Sequence, residues 1–147
     1  MKQVPLLPRL LGLAGLVPQW ACAMIAWFGP EEWYYTALAL GFGYAALIFS
    51  FLGGLWWGLA SAASKPIPGW LWVAAIAPNL VAFASYVPWI LGLDWPQPSL
   101  IILAGLVLAS LAVDQRLMAF EAPAWWMELR VPLSIGLAVA TLLLGLA

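Results

Sequence analysis

This sequence contains long stretches without a charged side chain, and they limit the folds that it can adopt. No charged residue lies between Glu32 and Lys65, and none lies between Lys65 and Asp94. A run of about 20 apolar residues is long enough to cross a bilayer as a helix, and a segment in lipid must pair its own backbone polar groups. These stretches therefore predict membrane-spanning helices.

The composition supports a membrane protein and excludes several other classes. Charged residues make up 7% of the chain and the mean hydropathy is +1.02, whereas a soluble domain carries about 25% charged residues. A net charge of -1 offers no basic face for nucleic acid. One cysteine and no histidine exclude an intrachain disulfide, a CxxC zinc site and haem held by histidine.

Glycine and proline breakers divide the 147 residues into five apolar runs. We therefore predict an all-α fold: one domain, 1–147, that forms a five-span transmembrane helix bundle. The first run resembles a signal peptide near Cys22, but Arg9 and Pro18 interrupt it, so we interpret it as a span. The predicted spans are about 8–28, 34–60, 70–92, 99–118 and 125–146.

The basic residues all fall at one end of the predicted bundle: Lys2, Arg9, Lys65, Arg116 and Arg130. The opposite end carries Glu31, Glu32 and Asp94. This asymmetry predicts a cytoplasmic N-terminus and an outer C-terminus. We expect the bacterial inner membrane, with the mitochondrial inner membrane as the alternative. Tryptophans collect near both ends of the spans, where indoles prefer to lie.

Small residues recur every four positions along the predicted second span, at Ala46, Ser50, Gly54 and Gly58. Such a pattern lets two helix backbones approach closely in lipid. We interpret it as a helix-packing seam within the bundle. A seam for another protein or for a flat quinone is the alternative.

Charged residues inside the last two spans predict a second feature. The two spans form an antiparallel hairpin, in which Asp114 and Arg130 lie at equal depth, and so do Ser110 and Ser134. These four residues are predicted to form an intramembrane polar clamp, because a carboxylate and a guanidinium tolerate burial better together than alone. A proton relay or an anion site is the functional alternative, since ionisable groups in membranes are functional candidates.

The third span carries a further candidate site. Asn79 follows Pro78, and prolines at 78 and 88 predict a kinked third span. Together with Trp56 and Trp57, Asn79 is a candidate lining residue of an apolar ligand cleft. A metal site would need Asp114, Glu121 and Glu128, and no metal is predicted.

Four stretches carry a resemblance to a known family: "PRLLGLAGLVP" at 8–18, "YAALIFSFLGGLWWG" at 44–58, Asp114, and "WWMELRVPLS" at 125–134. They are similar to the family of transmembrane protein 69, a domain of unknown function in bacteria and mitochondria. The resemblance covers nearly the whole chain and implies a small multi-span membrane protein. Relatives often carry histidine where Trp56 stands, so a metal or haem role there is not expected here.

The sequence holds no nucleophile and base set that would indicate an enzyme. We therefore expect an accessory or assembly subunit that packs against a larger membrane complex of energy conversion. A binder or carrier of a lipid or quinone is the first alternative, and a small transporter or channel subunit is the second. The expected partners are membrane lipids and a membrane protein or a second copy of the chain, and no cofactor is predicted beyond a lipid or quinone.

Overall fold

A computed structural model describes residues 4–120 and 122–147, which are helical with short connections and contain no strand. The predicted all-α class is confirmed. Short 3-10 turns precede α3 and follow α6, at Glu31–Trp33 and Met118–Phe120. The α-helices are α1 (Leu6–Ala14), α2 (Val17–Phe28), α3 (Tyr34–Ala62), α4 (Gly69–Ala84), α5 (Val87–Ile90), α6 (Gln97–Leu117) and α7 (Trp126–Gly145).

These helices form five segments that are long and apolar enough to cross a membrane. Each begins and ends within three residues of its predicted bounds. Lys2, which was predicted at the basic end of the bundle, lies outside the described residues. Spans one to five are Leu6–Phe28, Glu31–Ala62, Gly69–Ile90, Gln97–Phe120 and Trp126–Gly145.

Span one is divided between α1 and α2 at Gly15 and Leu16. Pro18 has no N–H, so the Ala14 carbonyl loses its normal helical donor four residues later. The Tyr44 hydroxyl donates to the Gly15 carbonyl oxygen at 2.6 Å and so stabilises the break. No residue of α1 is buried, which places the start of span one at the edge of the bundle.

Span three ends in a second break. Its helix continues through Pro78 to Ala84, and the short α5 begins just before Pro88. Only the second of the two predicted interruptions therefore divides the span. Gly92 follows α5 with a φ of 69°, a left-handed conformation that favours glycine.

Span two is the central helix of the bundle, and it packs against the helices of all four other spans. Its buried face includes Leu38, Phe42 and Trp56, each at most 2% exposed. Spans four and five pack side by side as a hairpin. The core therefore lies where span two meets this hairpin, and Trp56 donates a hydrogen bond to Asp114 of span four there.

The predicted seam is wrong for two of its four residues. Ala46 is buried and Ser50 is half-buried, but Gly54 and Gly58 are exposed. A Cβ atom placed on either glycine would have no atom of the described chain within 4 Å. Residues four apart are about 40° out of phase on a helix with 3.6 residues per turn, so the pattern winds about 120° from the buried face to the surface.

The close approach of spans two and three instead uses Gly53. A Cβ atom there would overlap the Ala75 carbonyl oxygen and lie 3.4 Å from the Cδ of Pro78. Gly41 has the same role at the other end of span two, where a Cβ would overlap the Leu144 side chain. The helix contacts therefore depend on glycines that the four-residue pattern did not identify.

Candidate functional site

Asp114 on span four is completely buried and accepts three hydrogen bonds. Its Oδ1 accepts from Trp56 Nε1 at 2.9 Å and from Trp126 Nε1 at 3.1 Å. Its Oδ2 accepts from Arg130 Nε at 2.9 Å. We call these four residues the Asp114 cluster. The cluster joins spans two, four and five through one carboxylate.

The local sequence explains why these donors meet. Trp126 and Arg130 are four residues apart at the start of span five, so they share one face of the helix. The antiparallel hairpin brings this face to the depth of Asp114, and Trp56 extends from the buried face of span two. A guanidinium and two indole N–H groups thus compensate a carboxylate that would be costly alone in a membrane.

The structure brings together two of the four predicted clamp residues. Asp114 and Arg130 form the ion pair, but Ser110 donates to the Val107 carbonyl of its own helix at 2.6 Å. Ser134 Oγ is buried and has no hydrogen-bond partner in the described parts of the chain. The predicted contact between the two serines is wrong, and Trp56 and Trp126 complete the site in their place.

The ligand cleft predicted from Trp56, Trp57 and Asn79 is not formed. Trp56 is buried in the Asp114 cluster, whereas Trp57 is 46% exposed and packs edge-on against Trp72 with 4.8 Å between the ring centroids. Asn79 is exposed, and its Oδ1 accepts from Ser50 Oγ at 2.9 Å. Asn79 therefore links spans two and three, and the three residues have separate environments.

A cleft of about 380 Å³ lies instead between spans one, two and five, bounded by Val107 of span four at its inner side. We call it the basic-end cleft, because it lies near the ends of these spans that carry Arg9 and Arg130. Its walls are mainly aliphatic, and Leu11, Leu55 and Leu133 are representative. The break in span one positions α1 as one of these walls.

Two polar side chains of span five line this apolar cleft, Arg130 and Ser134. Arg130 Nη2 and Ser134 Oγ are both buried, and neither has a hydrogen-bond partner among residues 4–120 and 122–147. An unmade hydrogen bond of a buried polar group costs about 1–3 kcal/mol. Two residues that line the cleft, four residues apart on one helix face, therefore each carry an unused buried donor.

Comparison with known protein families identifies the family of this chain. The model of the family described as "Protein of unknown function (DUF3429)" matches residues 4–147. The chain belongs to the DUF3429 family. Comparisons with curated proteins and with solved structures found no match. The resemblance to the family of transmembrane protein 69 stays a prediction.

The carboxylate of Asp114 is fully engaged by nitrogen donors in this DUF3429 chain. A metal site built from Asp114, Glu121 and Glu128 also needs Glu121, which lies outside the described residues. Within the described residues, no group of three or more histidine, cysteine, aspartate or glutamate side chains is placed to hold a metal ion.

A second buried polar contact in this DUF3429 chain was missed by the sequence reasoning. Gln19 Nε2 donates to Thr141 Oγ1 at 3.1 Å, and both residues are 0% exposed. The contact joins α2 to span five, beyond the break in span one. A polar residue at the start of an apolar helix was the available signal, but its partner depends on how α2 is placed.

Proposed function

We propose that this DUF3429 protein binds a lipid-soluble molecule, a lipid or a quinone, in the basic-end cleft. The observation that supports the proposal most is the pair of buried, unpartnered donors of Arg130 and Ser134 beside an apolar cavity. Ligand sites combine apolar walls with a few polar groups that fix orientation. The proposal is one of binding, without a reaction.

The dimensions of the cleft support an amphiphilic ligand. Along span five its lining extends from Trp125 to Leu137, about 18 Å at the helical rise of 1.5 Å per residue. One leaflet contributes about 15 Å of hydrocarbon, so an acyl or isoprenoid tail fits this length. Leu11 and Phe51 of the lining are 64% and 59% exposed, which gives a ligand access from the surrounding lipid.

The proposal is tested by a matched pair of tryptophan substitutions on span five. Leu133 lines the cleft, and Leu133→Trp is expected to fill part of it. Ile135 is 48% exposed and lies outside the lining, so Ile135→Trp adds the same bulk elsewhere. Each protein is purified in mild detergent, and organic extracts are analysed by mass spectrometry.

We expect a lipid or quinone in about equimolar amount with the unsubstituted protein and with Ile135→Trp. The amount should fall severalfold in Leu133→Trp, while the melting temperatures of the two variants stay close once both are stripped of ligand. Equal amounts in the two variants would contradict binding in this cleft.

An accessory role beside a larger membrane complex is the second candidate, and the exposed faces of Gly54 and Gly58 favour it. Both glycines lie on the outer side of span two, with open space in place of a side chain. Small residues on a lipid-facing surface allow another helix to approach closely. A stoichiometric protein partner should then co-purify with the unsubstituted chain and be lost from Gly58→Phe.

We also propose that the basic end faces the cytoplasm of a bacterial inner membrane. Arg9, Lys65, Arg116 and Arg130 lie at or near this end of the five antiparallel spans, and Glu31, Glu32 and Asp94 lie at the other. The distribution of lysine and arginine supports this orientation.

A further inference from the structure

We propose that the basic-end cleft selects an uncharged ligand whose oxygen, a carbonyl oxygen for example, accepts hydrogen bonds from Arg130 Nη2 and Ser134 Oγ. This inference rests on the ligand binding proposed above and adds the chemistry of the ligand's polar end.

The hydroxyl of Ser134 differs from those of two other buried residues in spans four and five, Ser110 and Thr141. Ser110 donates to the Val107 carbonyl at 2.6 Å, and Thr141 donates to the Leu137 carbonyl at 2.8 Å. Such bonds to the preceding turn are the usual solution for serine and threonine in helices. The Ser134 hydroxyl has no such bond to any described residue, so it is available to a ligand.

The guanidinium of Arg130 keeps one buried nitrogen without an acceptor among the described residues. Its Nε donates to Asp114, while its buried Nη2 has no acceptor within the described segments. Arg130 and Ser134 both line the cleft and lie one helical turn apart. One oxygen held between them would use both donors.

The charge balance favours a neutral acceptor over an anion. Asp114 already compensates Arg130 at 2.9 Å, and two indole N–H groups complete its hydrogen bonding. An anionic group in the cleft would add a charge without a counter-charge, which is costly inside a membrane. A carbonyl oxygen accepts the same two hydrogen bonds and adds no net charge.

The two donors lie near the start of span five, at the depth where the polar end of a lipid-soluble molecule would lie. Arg130 lies four residues into span five, about 6 Å from its start, and the apolar lining continues to Leu137. A ligand with its carbonyl at Arg130 would therefore extend its tail towards the bilayer centre. Two sources have this chemistry: the ring of a quinone and the ester of an uncharged glycerolipid.

The test measures binding of three probes to the full-length protein in detergent by native mass spectrometry. The probes are a benzoquinone with a decyl tail, dioleoylglycerol and dioleoylphosphatidylglycerol. We expect one neutral probe to bind at a ratio of one to one, and at least tenfold more tightly than the anionic phosphatidylglycerol. The neutral probe that binds more tightly identifies the source.

Two serine variants separate the donors from general packing. Ser134→Ala should weaken binding of the neutral probe about tenfold, the effect of losing one hydrogen bond. The melting temperature of the ligand-free variant should not fall, because Ser134 Oγ has no partner to lose in the described structure. Ser110→Ala, which removes a hydroxyl outside the cleft lining, should leave probe binding unchanged.

Several results would overturn the inference. Tightest binding of phosphatidylglycerol, or unchanged binding by Ser134→Ala, would contradict a neutral acceptor at these donors. If Leu133→Trp still blocks binding in that case, the cleft remains the ligand site and only its assigned chemistry fails. If none of the three probes binds the unsubstituted protein, both proposals fail.

Discussion

At the scale of single residues, the Asp114 cluster shows how a charge is kept within a membrane helix. The carboxylate of Asp114 has no exposure, yet each of its oxygens accepts a hydrogen bond from a cation or an indole N–H. Removing one partner of a buried ion pair costs more than the pair contributes, because the other charge stays uncompensated. The donors of the cluster are therefore expected to act as a unit.

The neighbours Trp56 and Trp57 provide a matched test of this cluster. Trp56→Phe removes the N–H that lies 2.9 Å from Asp114, and hydrogen bonds to charged groups are worth about 2 kcal/mol. Trp57 is 46% exposed, and Trp57→Phe keeps an aromatic ring near Trp72. We expect a clear loss of thermal stability in detergent for the first variant and a change below about 0.5 kcal/mol for the second.

A similar melting temperature for both variants would contradict a structural role for the indole of Trp56. An ion relay through Asp114, the transporter alternative, leads to a different result. In that case, changes in the cluster would reduce flux across proteoliposomes without a matching loss of stability.

At the scale of helices, contacts in this bundle depend on the angular position of each glycine. Gly53 meets the backbone of span three, and the adjacent Gly54 faces open space. A single residue turns the helix by about 100°. The same residue type therefore has opposite consequences at two consecutive positions.

This difference predicts opposite effects of the same substitution. Gly53→Ala places a methyl group against the Ala75 carbonyl, and such overpacking costs about 1–3 kcal/mol. Gly54→Ala meets nothing in the described structure within 4 Å and gains up to about 1 kcal/mol of helix propensity. Melting curves of the two variants in the same detergent measure both effects, and equal stability would exclude the packing of Gly53 against span three.

The sequence predicted those features that depend on one helix or on one hairpin. The five spans follow from hydropathy, because the hydropathy of a segment depends only on the residues within that segment. The contact between Asp114 and Arg130 follows from the antiparallel hairpin of spans four and five, because the two residues lie at similar distances from the turn that joins these spans. By contrast, the contact of Trp56 with Asp114 depends on the rotation of span two, and the basic-end cleft depends on how span one lies against spans two and five. These features require the relative placement of three helices, which no local pattern specifies.

At the scale of the whole molecule, the ends of the bundle differ in charge, and this difference predicts its orientation. Pro66 and Leu93 are exposed uncharged residues in connections at opposite ends, so a cysteine at either position leaves the charge balance intact. With Cys22→Ala as background, a membrane-impermeant maleimide should label Leu93→Cys in intact spheroplasts and Pro66→Cys only after lysis. The reverse pattern would place the four described basic residues outside and contradict the orientation expected from their distribution. In that case, the basic-end cleft would open into the outer leaflet, and its ligand would have to come from there.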